Sequence, residues 1–312
     1  MTPVGAGTTG AAPEQGWAAT GERGSFFAAR LMVTLLAALP RPVVAPLAHI
    51  ATAWFFLFGR RARAASRDYL GRVAAARPAL VGTGWRWQYR HFQAFARAIV
   101  DKLDAWSGRL DLARVRFDGR GGLDELRGRG RGLLLVGSHL GNLELCRVIA
   151  AGAAVKLNIL VHTRHAPRFA RALSLAGATS FELIQVTELD AALALELKER
   201  IGRGEWVVIS GDRVPVHGGR TLDVSLLGGT ARLPVGPWVL AGLLECPVYL
   251  LFCLRQDDGH RIHCEPFAPA VRWRRATREA VLRELAQRFA GRLEYHMLQA
   301  PLQWFNFYPF WK

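Results

Sequence analysis

The chain is short of acidic side chains, cysteine and long apolar runs, and each shortage removes a class of explanation. Its 25 Asp and Glu face 41 Lys and Arg, a formal net charge of +16. That imbalance calls for an anionic partner, whether nucleic acid, an anionic membrane surface or an acidic carrier protein. The arginines are scattered through helices and loops and match no nucleic-acid-binding motif, which places nucleic acid last. Four cysteines, Cys146, Cys246, Cys253 and Cys264, are too few and too unevenly spaced for a disulfide framework. No pair has zinc-ligand spacing, so no metal is expected and buried thiols in a reducing compartment are the plainer reading. The glycine-rich stretches match neither a P-loop nor a dinucleotide fingerprint, and the Gly-x-Ser-x-Gly elbow of serine hydrolases is missing. No internal repeat and no second catalytic-domain boundary is visible.

With 51% hydrophobic residues over 312 positions, the chain can bury one sizeable core. Residues 1–24 are small and polar and read as a disordered tail. Residues 25–60 follow as a separate apolar region, and 61–312 as the catalytic domain. Within the apolar region, residues 26–39 and 43–58 are interrupted by Arg30 and by Pro40 and Pro42, and the second stretch runs into Arg60, Arg61 and Arg63. Neither reaches the roughly 20 residues that cross a bilayer. A cleaved signal peptide fits poorly, because no basic segment opens the chain and no small-residue site precedes the basic cluster. The pattern predicts two helices bent at the prolines, lying in the membrane interface or entering one leaflet, with the bulk of the protein on the cytoplasmic side. A pair of buried core helices is the plainer alternative.

Beyond residue 61, strand-like runs alternate with helical periodicity. Strands are expected at 115–118, 133–136, 157–161, 183–186, 206–210, 222–226 and 248–254. Helices are expected at 62–76, 85–106, 142–152, 167–176, 188–203, 235–244 and 276–298, while Gly228-Gly229 and residues 234–237 read as turns before a helix. This alternation predicts an α/β fold, a mostly parallel central sheet flanked by helices.

In such sheets functional groups collect past the carboxyl ends of the strands. Three polar clusters sit at such ends: His139 with Glu144, Arg164 between His162 and His165, and Asp212 with Arg213. On one continuous helix, residues five apart point about 140° away from each other. A strand-to-helix turn removes that obstacle, letting Glu144 accept from one imidazole nitrogen of His139 while the other acts as a base toward an alcohol. The spacing alone is weak, since His260 and Glu265 reproduce it on an expected strand, where they would face opposite sides. The same alternation points Ser138 away from His139 and argues against a serine nucleophile. Arg164 and Arg213 are candidates to hold a phosphate or a developing oxyanion, with Asp212 as the orienting group for Arg213 or as a turn residue.

Residues 138–144, Ser-His-Leu-Gly-Asn-Leu-Glu, then Gly211-Asp-Arg213, then residues 224–237 resemble the successive blocks of the lipid A biosynthesis acyltransferases, within the lysophospholipid acyltransferase superfamily. The closing Gln303-Trp-Phe-Asn-Phe-Tyr308 resembles the aromatic block of a less characterised branch of it. The resemblance implies an O-acyltransferase at the cytoplasmic face of the cell inner membrane. It would carry a fatty acyl chain from an acyl carrier protein or coenzyme A thioester to a hydroxyl of a lipid or glycolipid, with no cofactor. His139 would be the general base, Glu144 its orienting carboxylate, and Asp212 and Arg213 would line the cleft. Backbone amides near Gly141 and Asn142 are expected as oxyanion donors. The loop around Arg164 departs from the family pattern, which leaves the acceptor open. An esterase or thioesterase using water, and a non-catalytic lipid-binding protein, are the competing readings.

Overall fold

A computed structural model describes residues 41–106, 110–119, 124–125, 128, 130–145, 155–161, 181–185, 190–214, 219–257 and 259–312. Expectations for residues 1–40, for Cys146 and most of 142–152, for the segment holding His162, Arg164 and His165, and for 167–176 lie outside these. The described helices are α1 (Arg41–Phe58), α2 (Arg60–Ala76), α3 (Trp85–Trp106), α4 (Ala191–Gly202), α5 (Gly236–Leu244) and α6 (Arg278–Gln299). The strands are β1 (Val115–Asp118), β2 (Leu133–Gly141), β3 (Leu157–Val161), β4 (Phe181–Gln185), β5 (Trp206–Ser210), β6 (Thr221–Leu226), β7 (Gly229–Pro234), β8 (Val248–Gln256) and β9 (Gly259–Ala268).

Seven strands form one sheet in the order β1-β9-β8-β2-β5-β3-β4. Its pairings are parallel except for the β8–β9 hairpin, so the expected mixed α/β architecture with a mostly parallel sheet is present. Burial explains why the central strands are continuous apolar runs. In β2, Leu134 and Val136 face a large core with Tyr69, Leu197, Trp238, Phe252 and Phe289, while Leu133 and Leu135 face a smaller one with Trp206, Val208, Leu251 and Ile262. A strand covered on both faces loses the polar alternation of a half-exposed one. Cys253 and Cys264 lie in the smaller core and Cys246 in the larger, all three buried. Burial pushes the thiols of Cys246 and Cys264 up to about 12, so they stay protonated and inert.

Two local expectations are corrected. Residues 229–234 form β7, which pairs antiparallel with β6 through a turn at Leu227 and Gly228, both at positive φ. Gly228-Gly229 thus makes a hairpin with an intervening strand before α5, a two-residue connection whose twist suits paired strands. Second, β2 does not stop at Val136 but continues to Gly141, with its register to β8 shifted between Gly137 and Gly141. His139 therefore projects from an irregular strand extension. Gly141 ends it at φ +74°, where a Cβ would lie 2.0 Å from the Cys253 carbonyl oxygen, a place only glycine fits.

Among the described residues no helix is long and apolar enough to cross a membrane. One side of α1 packs on α3, where Phe56 meets Tyr89 and Phe92 edge-on. The other side leaves Leu47, Ile50, Trp54 and Phe58 exposed at helical spacing. Arg63 reaches back to donate to the carbonyls of Phe56 and Leu57, satisfying acceptors that a helix end leaves open.

His91 of α3 is fully buried between Ser66, against its Nδ1, and the Trp304 carbonyl, which accepts from Nε2. Burial lowers its pKa to about 4, against a smaller upward pull from the Trp304 carbonyl. In the unfolded chain an ordinary histidine binds a proton below about 6.5, so the unfolded state gains protons first. Stability is therefore expected to fall as pH drops from about 6.5 toward 4, with a His91 share of up to about 3 kcal/mol. Denaturant unfolding across that window should show a steeper loss for the wild type than for His91→Gln; equal slopes would remove His91 as a cause.

Candidate active site

β2 and β5 are neighbours in register, Gly137 opposite Ser210, and Gly211 N–H continues the ladder by donating to the Gly137 carbonyl at 2.8 Å. This pairing carries the residues just beyond, His139 and Asp212, side by side at the carboxyl ends of two parallel strands. The Asp212 carboxylate is fully buried, whereas the His139 side chain is 34% exposed. Nδ1 of His139 lies 2.8 Å from Asp212 Oδ1, and the His139 backbone N–H donates to Oδ2 at 2.9 Å.

Burial alone would raise the Asp212 pKa, but the imidazole, its hydrogen bonds and the nearby Arg213 outweigh it and hold the carboxyl well below the usual carboxylate range. Asp212 is thus an anion and can only accept, which fixes the proton on Nδ1 of a neutral His139. Nε2 is left as the basic nitrogen, with no hydrogen-bond partner among the described residues. Desolvation is the largest influence on His139 and lowers its pKa; Asp212 pulls it upward and Arg213 and Lys102 downward. An imidazole neutral at physiological pH, held on one nitrogen and open on the other, is poised to take a proton.

The remaining donors to Asp212 come from two places. Ser210 Oγ donates to Oδ1 at 2.9 Å, and from the chain's end Trp304 Nε1 and Asn306 Nδ2 donate to Oδ2 at 3.1 and 3.4 Å. Trp304 and Asn306 belong to the aromatic block at residues 303–308, and Ser210 to a strand end. Sequence reasoning gave none of them a place in the site. A tryptophan and an asparagine within one aromatic segment carry no spacing signal, and only the strand pairing brings them together.

Other sequence candidates fall differently. Asp212 bonds His139 and is also stabilised by the charge of Arg213. Arg213 donates from Nε to Asn306 Oδ1 at 2.9 Å and from Nη2 to the Phe305 carbonyl at 2.8 Å. Glu144, expected to accept from one imidazole nitrogen, lies in the 3₁₀ turn Leu143–Leu145 with its side chain outside the described atoms, and Nδ1 is held by Asp212. The amides of Gly141 and Asn142, expected as oxyanion donors, instead donate to the carbonyls of Gln303 and Cys253. The side-chain Nδ2 of Asn142 is buried with no hydrogen-bond partner among the described residues. Ser138 Oγ accepts from the Leu140 amide at 3.3 Å and is buried. On β9, His260 bonds Asp101 and Glu265 bonds His296 and Arg292, so the second His-x-x-x-x-Glu spacing makes no pair. Asp101 and His260 line a separate cavity of about 590 Å³ between α1, α3 and the start of β9.

The imidazole at this strand end is followed along the chain by the further blocks in a set order. Residues 19–312 match the model of the bacterial lipid A biosynthesis acyltransferases. The chain belongs to that family. A comparison with curated proteins found no match. Membership makes this acyltransferase one that acts on lipid, with an acyl donor and a lipid acceptor as its substrates.

For this lipid A-type acyltransferase, the geometry assigns the imidazole's partner to Asp212. Asp212→Asn should lower the turnover of acyl transfer roughly 10²- to 10⁴-fold, because an amide can present an N–H to Nδ1 and reverse the tautomer. Glu144→Gln, assayed beside it, should lose less. A larger loss from Glu144→Gln would transfer the orienting role to Glu144.

Proposed function

We propose that the protein is an O-acyltransferase in which His139 removes the proton from a hydroxyl of a lipid or glycolipid as that oxygen attacks the carbonyl of an acyl thioester. The observation that carries the reading is the division of the imidazole: Nδ1 is held by a buried anion, and Nε2 of the partly exposed side chain has no hydrogen-bond partner among the described residues. The hydroxyl oxygen forms the new bond to the acyl carbon, its proton passes to Nε2, and the carbon–sulfur bond breaks as the tetrahedral species collapses. The thiol leaves with the proton returned from His139. A thioester is already activated, so the step calls for a base, a donor for the oxyanion and an apolar slot, with no metal or organic cofactor. With the Gly141 and Asn142 backbone amides committed to Gln303 and Cys253, the oxyanion role falls to the Asn142 side chain, whose Nδ2 has no hydrogen-bond partner among the described residues.

The acyl donor is an acyl carrier protein or a coenzyme A thioester, both anionic and suited to a chain of net charge +16. His139→Ala should reduce transfer of a radiolabelled acyl chain from the thioester to lipid roughly 10²- to 10⁴-fold with the fold unchanged. Undiminished transfer would overturn the base assignment, and release of free fatty acid at one rate with or without lipid would favour the hydrolase reading.

We further infer a site of work at the cytoplasmic face of the inner membrane, with α1 lying in the interface. The supporting features are its exposed apolar stripe and the exposed Arg60, Arg61 and Arg67 that follow it, an amphipathic arrangement suited to anionic lipid. Replacing Ile50, Trp54 and Phe58 together by Ser should weaken flotation with anionic vesicles at least about tenfold, since each buried side chain of this size contributes about 1.5–3 kcal/mol. Flotation equal to wild type would exclude α1 as the attachment.

A further inference from the structure

The segment 303–308 runs antiparallel to the end of β2 like an added short strand. Gly141 N–H donates to the Gln303 carbonyl at 2.8 Å, Phe305 N–H donates to the His139 carbonyl at 3.1 Å, and Leu140 bridges Trp304. Its other fastenings are independent of the active site. The Gln303 amide exchanges two hydrogen bonds with the backbone of Arg255 at the end of β8, and the Trp304 carbonyl accepts from His91 of α3. The strap is therefore anchored on β2, β8 and α3 before its side chains reach Asp212.

Those side chains divide the carboxylate. Oδ1 receives Nδ1–H of His139 and the Ser210 hydroxyl, and Oδ2 receives the His139 backbone N–H, the Trp304 indole N–H and the Asn306 amide. A carboxylate can turn about its last bond, and a turn would carry Oδ1 out of line with the imidazole. Donors fixed on Oδ2 oppose that rotation. Trp304 suits this role because its indole offers a donor and no acceptor, is fully buried, and is wedged among Tyr69, Phe310 and Trp311. Asn306 shares its amide between the two neighbours, donating to Asp212 and accepting from Arg213.

We propose that Trp304 and Asn306 are positioning residues for the reaction: they orient the Asp212 carboxylate, and through it His139, so the C-terminal strap is a working part of the catalytic machinery. The role rests on the reading of His139 as base, but its geometry can be tested without turnover. Donors to Oδ2 draw charge away from the carboxylate. Without one, Asp212 holds the protonated imidazole more strongly and His139 titrates at higher pH. Among the described residues, the other charged or titratable groups facing this pair are Arg213 beyond β5, Lys102 on α3 and Tyr308 on the strap, and none is altered in the variants chosen.

The experiment is an NMR titration of imidazole nitrogens in the full-length protein labelled with ¹⁵N-histidine, the His139 signal identified by its loss in His139→Gln. Trp304→Phe removes the indole donor and keeps a ring. Asn306→Ala removes the amide donor without adding a charge. Trp311→Phe is the packing control, since that indole sits in the same cluster but donates to the Leu226 carbonyl. Trp304→Phe and Asn306→Ala should raise the His139 midpoint by about one pH unit, the scale of one charge-assisted hydrogen bond, with Trp311→Phe at the wild-type value. Should Trp304→Phe fail to fold, Asn306→Ala decides alone. A wild-type midpoint in Trp304→Phe or Asn306→Ala, or an equal shift in Trp311→Phe, overturns the proposal. A wild-type protein that moves no acyl chain would overturn the proposed function and leave this titration readable.

Discussion

A carboxylate taken out of water must be surrounded by donors, and the site depends on that requirement at Asp212. An isolated buried anion costs several kcal/mol, recovered only when its lone pairs are filled by well-placed partners. Five hydrogen bonds converge on Asp212, two from His139, one from Ser210 and one each from Trp304 and Asn306. They come from two neighbouring strand ends and from the chain's terminus, so satisfying one anion draws together segments far apart in sequence. The same requirement sets the tautomer of His139, because an acceptor on Nδ1 keeps the proton there and leaves Nε2 unprotonated.

Much of the fold is legible from local pattern. Apolar runs bounded by turn residues mark β3 and β5 to the residue, and the two-sided burial of β2 and β8 accounts for their unbroken hydrophobicity. β7 is misread because Gly229 opens it with a turn residue and its sequence Gly-Thr-Ala-Arg-Leu-Pro carries little strand propensity; pairing with β6 supplies what propensity lacks. The extension of β2 past Gly137 is hidden for a similar reason, since glycines that read as punctuation instead permit an irregular register beside β8.

The site shows the limit of spacing arguments. His139 is found because it follows a buried strand, and Asp212 and Arg213 because they follow another. Which of these groups touch depends on strand order, and β2 beside β5 is a property of the whole sheet. A carboxylate five residues away is the partner that sequence proximity offers, while the sheet delivers one 73 residues away. The strap is harder still, because Trp304 and Asn306 act through an indole and an amide that carry no titratable signature. Their place follows from α6 returning the chain to the carboxyl end of the sheet, where the terminus adds itself to β2.

The hydrogen bond between His139 Nδ1 and Asp212 is the claim on which the rest stands, and it can be observed directly. An imidazole N–H donating to a buried carboxylate gives a proton resonance far downfield of the amide region. Such a signal is expected in the wild-type protein, absent from His139→Gln and from Asp212→Asn and retained in Glu144→Gln. A downfield signal that survives Asp212→Asn and disappears in Glu144→Gln would contradict the assignment of Asp212 as the partner of His139.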